Sequence, residues 1–302
     1  MGNIGRMLTA MVTPFDREGN VDYKQARQLV QALMDSGSEG VIVCGTTGES
    51  PTLSHGEKLH LFGEIKEAIG AKGSVIAGTG SYGTSESIEL SREAEHLGVD
   101  GLLLVVPYYN KPTQEGLYRH FKAIASSVNI PCILYNVPSR TGTNMTAETT
   151  VRLSQIDNIT GVKEASGDMV QVGSIIAQTP DDFLVWSGND SDTFPIMNMG
   201  GYGVISVASH LYGLQIQSMM QLLLGGEIEK AAREHHRLMP IFQGLFWVSN
   251  PTPVKHALNR GGFFVGTPRL PLVEIDEQTA TRLNRVLDEY TIDLPMNVLH
   301  RV

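Results

Sequence analysis

Residues 40–79 read GVIVCGTTGESPTLSHGEKLHLFGEIKEAIGAKGSVIAGT and contain the repeating unit on which the fold prediction rests. The apolar runs at 40–45 and 74–79 are hydrophobic at consecutive positions, which is typical of parallel strands covered on both faces. Between them, Ser54 and Glu57 have the spacing of a capping box, and an apolar stripe at helical spacing follows as far as Gly70. We therefore predict a strand, a helix and a second strand parallel to the first, joined by a right-handed crossover.

The same alternation continues along the chain. Strand-like runs occupy residues 8–13, 40–45, 74–79, 100–106, 131–136, 159–164, 183–187 and 203–207. Each run and the helical segment after it span roughly 20–35 residues, which is enough for a parallel crossover. Eight such units predict an α/β fold, a (β/α)₈ barrel with a C-terminal helical extension, and the alternative is an open doubly wound sheet.

The pattern changes after residue 225. No strand-like run of similar quality follows, and helices are predicted at 227–246, 253–259 and 277–290. We therefore predict two domains, a catalytic barrel at residues 1–225 and a C-terminal helical domain at residues 226–302.

The composition excludes several classes of protein. The 302 residues include 23 Lys and Arg against 32 Asp and Glu, a net charge of −9, so no basic face for nucleic acid is predicted. The apolar runs are far shorter than the roughly 18 residues that span a membrane, and no signal peptide is recognisable. Cys44 and Cys132 lie inside apolar runs and are predicted to be buried free thiols, which indicates a cytoplasmic protein without membrane partners.

Neither a metal nor a dinucleotide site is predicted. The nine histidines lack the spacing of metal ligands, and the adjacent His235 and His236 are expected to be exposed to solvent. Residues 78–83 satisfy G-x-G-x-x-G, but they belong to the third unit and the next strand ends without an acidic residue for a ribose. The motif is therefore interpreted as a tight barrel turn.

Lys163 is the most informative single residue of the sequence. It lies in an apolar strand, so its amine is expected in the barrel mouth, where burial lowers a lysine pKa. A neutral amine in a dry pocket can form a Schiff base with a carbonyl compound. The alternative is an ion pair with Glu164, which is disfavoured because successive strand residues face opposite sides.

Other polar residues follow the strands at the same end of the barrel. Tyr135 can shuttle a proton, and Thr47 and Tyr109 are further candidates for a hydrogen-bonded relay. Arg140 presents a planar fork suited to carboxylates, and its alternative role is a surface ion pair. In the same way, Thr46 and Thr47 could simply cap the next turn.

These segments resemble the dihydrodipicolinate synthase / N-acetylneuraminate lyase family of class I aldolase-type barrels. The matching segments occur in family order and are GTTGE at 45–49, PYYNKP at 107–112, YNVPSRTG at 135–142, GVKE at 161–164, SGND at 187–190, GVISV at 203–207 and PTPVKHAL at 251–258. The resemblance covers nearly the whole chain and implies carbon–carbon bond chemistry on a lysine Schiff base, in lysine and diaminopimelate biosynthesis. No cofactor is implied, because the imine itself is the electron sink.

The resemblance also implies catalytic roles for individual residues. Lys163 would form the Schiff base with pyruvate, and Tyr135 would donate and accept protons. Thr47 and Tyr109 would complete the relay, with Tyr109 reaching across the interface of a tight dimer. Thr46 is included with Thr47 among the catalytic threonines.

Substrate-binding residues follow from the same resemblance. Thr46 and Thr47 would bind the carboxylate of pyruvate, and Gly188 and the backbone of Ile205 would line the pocket. Arg140 would hold the carboxylate of aspartate 4-semialdehyde, the second substrate. Sialic-acid lyases of the family lack this arginine, so its presence favours the synthase.

An effector site is a further implication, since some family members bind lysine at the dimer interface. The corresponding positions here are Ser50, His55, Lys58, Tyr82, Glu86 and Tyr108. Lys58 and Tyr82 replace a histidine and an asparagine of the lysine-inhibited members. A lysine at position 58 would repel a cationic effector, so we predict weak or absent inhibition by lysine.

Two other functions stay open on the sequence alone. One is a sister aldolase, acting on N-acetylneuraminate or a 2-keto-3-deoxy sugar acid, and the other is a non-catalytic barrel that senses a metabolite. The family implies a homotetramer, a dimer of dimers, although a homodimer is equally compatible with the sequence.

Overall fold

The computed structural model describes residues 4–295 and contains a closed barrel of eight parallel strands in chain order. The strands are β1 (Met7–Ala10), β2 (Gly40–Val43), β3 (Ser74–Gly78), β4 (Gly101–Val105), β5 (Cys132–Asn136), β6 (Ile159–Glu164), β7 (Leu184–Ser187) and β8 (Gly203–Ser206). β1 pairs with β8 in parallel, which closes the sheet and excludes the open doubly wound alternative. The predicted (β/α)₈ barrel is confirmed.

Helices follow the strands around the barrel and continue beyond it. They are α1 (Tyr23–Asp35), α2 (His55–Ile69), α3 (Thr84–His96), α4 (Gln114–Ala125), α5 (Pro138–Thr141), α6 (Ala147–Leu153), α7 (Met169–Gln178), α8 (Thr193–Asn198), α9 (Ser209–Leu224), α10 (Ile228–Gly244), α11 (Thr252–Arg260) and α12 (Glu277–Leu287). The capping box predicted at α2 is present, because the Ser54 side chain and the Glu57 side chain each accept a backbone N–H of the other. Gly70 ends that helix with φ 56°, in the left-handed range that favours glycine.

The register of β5 and β6 positions the chemistry. Tyr135 lies opposite Lys163, and Asn136 lies opposite Glu164. Since successive strand residues face opposite sides, Tyr135 and Lys163 share one face and the other two share the reverse face. Asn136 donates to both carboxylate oxygens of Glu164 at 3.1 Å, so Glu164 is engaged behind the barrel wall and the alternative Lys163–Glu164 pair is wrong.

The glycines of the 78–83 motif serve strand packing. A Cβ at Gly78 would lie 2.4 Å from the Cys44 carbonyl oxygen, and one at Gly80 would lie 2.4 Å from the Val105 backbone nitrogen. Real Cβ atoms do not approach other atoms so closely, so only glycine fits where β3 passes its neighbours. This agrees with a tight barrel turn.

The C-terminal segment packs against the barrel. The Phe15 N–H donates to the Val265 carbonyl at 3.0 Å, and the Arg269 guanidinium bonds both carboxylate oxygens of Glu57 in α2. The division into a barrel domain and a helical domain at residue 226 stays a prediction. Residues 296–302 of the predicted helical domain lie outside the described part of the chain.

Three smaller predictions concern the cysteines, a histidine and membrane-spanning helices. Cys44 and Cys132 are buried free thiols, as predicted. The prediction for His235 is wrong: it is 6% exposed, because its ring stacks against Phe194. Between residues 4 and 295, none of the helices combines the length and apolar character needed to cross a membrane.

Candidate active site

Lys163 reaches a cavity of about 300 Å³ at the carboxyl ends of the strands. The cavity is lined by Thr46, Thr47, Tyr135, Val137, Ser139, Arg140, Lys163, Gly188, Asn189, Val207, Phe246, Ser249 and Asn250. Lys163 is only 5% exposed. Burial lowers its pKa to about 7; the Asp190 carboxylate opposes this shift, and the Arg140 guanidinium adds to it. The amine is therefore available as a nucleophile near neutral pH.

Tyr135 lies beside that amine on the neighbouring strand. The Lys163 Nζ atom is 4.4 Å from the centroid of the Tyr135 ring. Burial raises the pKa of the Tyr135 hydroxyl, while Arg140 and a hydrogen bond with the Thr46 side chain lower it. A protonated phenol is thus held next to the amine, where it can donate a proton to a leaving hydroxyl.

The two threonines of the GTTGE loop point to different partners. The predicted relay placed Thr47 next to Tyr135, but the structure places the Thr46 side chain there. The Thr47 hydroxyl instead accepts from Asn250 Nδ2 at 2.8 Å and is 3% exposed. Both threonines line the cavity, and the predicted part of Thr47 in the proton relay stays a prediction.

Asp190 is a buried carboxylate that the sequence did not single out. One oxygen accepts from Ser206 Oγ at 2.5 Å, and the other accepts the backbone N–H groups of Val207 and Ala208 at 3.1 Å. Burial raises the pKa of this carboxyl, and its hydrogen bonds and the Lys163 charge offset only part of that rise. A carboxylate fixed by so many donors can balance the positive charge of an iminium at Lys163.

Arg140 and Gly188 lie where substrate binding was predicted. Arg140 projects from α5, is exposed and lines the cavity, and within residues 4–295 no carboxylate lies within salt-bridge distance of it. Its guanidinium is therefore free to receive a carboxylate. A Cβ at Gly188 would lie 2.6 Å from the Ala165 Cβ, so glycine is required there. Ile205 is buried in β8 but is absent from the cavity lining, where Val207 is found instead.

Tyr109 is not brought to the cavity by its own chain. Its side chain is 92% exposed and its φ is 73°, a strained value for tyrosine. A second cavity of about 220 Å³ shares Tyr135 and Thr46 with the first and is also lined by Tyr108. One chain therefore supplies the lysine, the phenol and the threonines, but not the second phenol of the predicted relay.

The predicted effector residues are spread over neighbouring elements. His55 Nε2 lies 2.6 Å from a carboxylate oxygen of Glu93, and Glu86 accepts from Ser81 Oγ at 3.1 Å. The Tyr82 and Tyr108 rings meet edge to face at 5.3 Å. Ser50 lines the second cavity, and Lys58 lies half-buried on α2. Their predicted role stays a prediction.

The C-terminal segment contributes residues that sequence reasoning missed. Phe246, Ser249 and Asn250 form part of the cavity wall. Lys255 Nζ lies 2.6 Å from Glu49 Oε1, and both side chains are 1% exposed. The segment PTPVKHAL at 251–258, which contains Lys255, was the signal that pointed to this region.

The chain is similar to known proteins along most of its length. The model of the dihydrodipicolinate synthetase family matches residues 3–290. A 4-hydroxy-tetrahydrodipicolinate synthase of Dehalococcoides mccartyi is 57% identical over 296 residues, covering 98% of this chain and 100% of the relative. The crystal structure of a dihydrodipicolinate synthase from Bacillus anthracis has a TM-score of 0.94 at 46% identity, covering 96% and 99% of the two chains. A chloride-inhibited dihydrodipicolinate synthase of Acinetobacter baumannii complexed with pyruvate has a TM-score of 0.92 at 39% identity, covering 95% and 99%.

Proposed function

The chain belongs to the dihydrodipicolinate synthetase family, and from this we propose that it joins pyruvate to L-aspartate 4-semialdehyde through a Schiff base on Lys163, the 4-hydroxy-tetrahydrodipicolinate synthase reaction. It is an enzyme of the class I aldolase type that acts in lysine and diaminopimelate biosynthesis. The pyruvate complex of the Acinetobacter relative supports the choice of the first substrate. The observation that carries the proposal is the buried Lys163 amine, whose pKa burial lowers to about 7, beside the Tyr135 phenol.

The first half of the proposed reaction activates pyruvate. The neutral Lys163 amine attacks the keto carbon, and the resulting carbinolamine loses its hydroxyl as water when Tyr135 donates a proton. The nitrogen keeps the positive charge of the iminium, which Asp190 balances. The Tyr135 phenolate then takes a proton from the methyl carbon, and the electron pair of that C–H bond moves to the iminium nitrogen to give the neutral enamine. No cofactor is proposed, because the imine accepts those electrons.

The second half joins the substrates and releases the enzyme. The enamine carbon attacks the aldehyde carbon of aspartate 4-semialdehyde, whose oxygen takes a proton. The amino group of that substrate then attacks the iminium carbon and displaces Lys163 as the neutral amine, which closes the ring, and Tyr135 takes up the proton released. Arg140 is proposed to hold the carboxylate of the second substrate, and Thr46 and Thr47 that of pyruvate.

We propose that the working form is a homodimer or a homotetramer built from tight dimers in the cytoplasm. The 92% exposed Tyr109 supports this assembly, because a second copy can place that phenol where the first chain has none. Its predicted destination is the second cavity, beside Tyr135 and Thr46.

Reductive trapping tests the proposal. Incubation with pyruvate and sodium borohydride should leave one pyruvate-derived adduct, located on Lys163 by peptide mass spectrometry. An adduct elsewhere, or none at saturating pyruvate, would contradict the proposed function. Assays of N-acetylneuraminate and 2-keto-3-deoxy sugar acid cleavage, run in parallel, distinguish the synthase from the sister aldolases.

We expect the rate of imine formation to rise with pH through about 7. Burial lowers the Lys163 pKa to about that value, so the amine is protonated and inert below it and neutral and reactive above it. The measurement is the initial rate of borohydride trapping between acidic and mildly alkaline pH. Asp190→Asn should shift the rise to lower pH, because the Asp190 carboxylate raises the Lys163 pKa. An unchanged profile would exclude the proposed electrostatic role of Asp190.

We expect lysine to inhibit weakly or not at all. Lys58 lies on α2 among the predicted effector residues, and its ammonium would repel a cationic effector. Lys58→Ala should therefore strengthen inhibition by lysine, whereas Lys230→Ala, at an exposed position of α10, should leave it unchanged. Half-inhibition of the unaltered enzyme at low-millimolar lysine or below would contradict this prediction.

A further inference from the structure

Asn250 connects the C-terminal segment to the GTTGE loop by a single buried hydrogen bond. It lies between α10 and α11, is 5% exposed, and donates from Nδ2 to Thr47 Oγ1 at 2.8 Å across 203 residues of sequence. Its amide oxygen is buried without a hydrogen-bond partner in the described part of the chain. Among the described residues, the Asn250 side chain therefore makes its one hydrogen bond with Thr47.

The hydrogen bond determines what the Thr47 hydroxyl can do. A hydroxyl has one hydrogen to donate and two lone pairs to accept with. Because Asn250 donates to it, one lone pair is occupied and the hydrogen needs a different acceptor. Among residues 4–295 no side chain or backbone group accepts from Thr47 Oγ1, and both residues line the cavity that Lys163 reaches. The hydrogen is therefore left for a ligand in that cavity.

We infer that Asn250 is a positioning residue that orients the Thr47 hydroxyl as a donor toward the carboxylate of the oxoacid bound at Lys163. The inference rests on the proposed function, which supplies the oxoacid. The acceptor that fits this hydrogen is the anionic carboxylate, because its oxygens bind hydrogen-bond donors and repel other acceptors. The Asn250 amide donates its N–H to the Thr47 hydroxyl and so leaves the hydroxyl hydrogen for the ligand. A side chain of the same shape that can only accept would reverse the direction of this hydrogen bond.

The decisive variant is Asn250→Asp, measured with threonine and with valine at position 47. The carboxylate of Asp accepts from the Thr47 hydroxyl and withdraws its hydrogen from the cavity. We expect the pyruvate concentration for half-maximal borohydride trapping to rise about tenfold or more, because hydrogen bonds to charged groups are among the strongest. In the Thr47→Val background, Asn250→Asp should raise this pyruvate concentration by a factor at least about threefold smaller. Only charge repulsion between the Asp carboxylate and the carboxylate of pyruvate remains there.

Asn250→Leu gives the neutral comparison. It removes the donor without reversing it, so a smaller increase of about threefold is expected with threonine at position 47 and almost none in the Thr47→Val background. The kcat at saturating pyruvate and the KM for aspartate 4-semialdehyde should change less than the KM for pyruvate in every variant, a split that general damage to the fold would not produce. Thermal unfolding of each variant checks the fold, and if Asn250→Leu fails to fold, the nearly isosteric Asn250→Asp variant decides.

Two results would overturn the inference. One is an equal effect of Asn250→Asp with threonine and with valine at position 47. The other is an Asn250→Asp variant that binds pyruvate as well as the unaltered protein does. Failure of the proposed function looks different, because the unaltered protein would then give no pyruvate adduct on Lys163 at all.

Discussion

Lys163→Ala should abolish the pyruvate adduct and lower turnover by at least about 10⁴-fold, since losses of this size follow removal of a covalent nucleophile. Lys163 is the proposed nucleophile: the residue is 5% exposed, and its amine lies beside the Tyr135 ring. No other lysine lines the cavity, as far as residues 4–295 are concerned. The measurement is turnover with both substrates, together with mass spectrometry after borohydride reduction. A Lys163→Ala protein that keeps a tenth of the activity would rule out the Schiff-base mechanism.

Tyr135→Phe is the matched control for this variant. It keeps the ring beside the amine and removes only the hydroxyl, so trapping should persist at a reduced rate while turnover falls. The fold should be unaffected, since Phe fills the same buried volume. If Tyr135→Phe turned over at the unaltered rate, Tyr135 would have no part in proton transfer.

Lys255→Met should destabilise the protein by about 3–5 kcal/mol, because it leaves the Glu49 carboxylate buried without its cation. The Lys255–Glu49 ion pair is 1% exposed on both sides, with 2.6 Å between Nζ and Oε1. The other Glu49 oxygen accepts the Arg269 backbone N–H at 2.9 Å, so this carboxylate links the GTTGE loop to two parts of the C-terminal segment. Denaturant unfolding at fixed protein concentration, with circular dichroism as the probe, measures the loss.

A second substitution separates the ion pair from the packing of the site. Lys255→Met combined with Glu49→Leu should recover much of the stability, since apolar replacement of both partners of a buried pair is often neutral. Lys72→Met is the surface control: its ammonium is 3.8 Å from Asp35, both side chains are mostly exposed, and its loss should change stability by less than about 1 kcal/mol. Equal losses in Lys255→Met and Lys72→Met would show that burial adds nothing to the Lys255–Glu49 pair.

The barrel could be predicted because strands covered on both faces leave a simple apolar signature. The run at 159–164 coincides with β6, whereas the run at 40–45 continues two residues beyond β2. Cys44 is apolar and buried, but its φ of 55° turns the chain out of the sheet. The run at 8–13 is also too long, because the Val12 N–H donates to the His210 ring instead of a neighbouring strand. Hydrophobicity reports burial, not strand pairing.

The site was predictable where it depends on strands and less so where it depends on turns and distant contacts. Lys163 and Tyr135 meet because their strands pair in register. Which of the two threonines lies beside Tyr135 depends on the path of one turn. The structure places Thr46 there, and the spacing of apolar residues in the sequence carries no information about such a turn. Asn250 could not be predicted, because its partner lies 203 residues away.

Because the pocket needs contacts from the C-terminal segment, it can be completed only after the barrel strands have been synthesised. Translation completes the last strand at Ser206, before the ribosome has reached the residues that wall the pocket, brace Glu49 and hold the Thr47 hydroxyl. A nascent chain therefore contains its reactive amine well before it has a finished pocket for an oxoacid. We expect competence for imine formation to arrive late in synthesis, once the C-terminal segment has packed against the GTTGE loop.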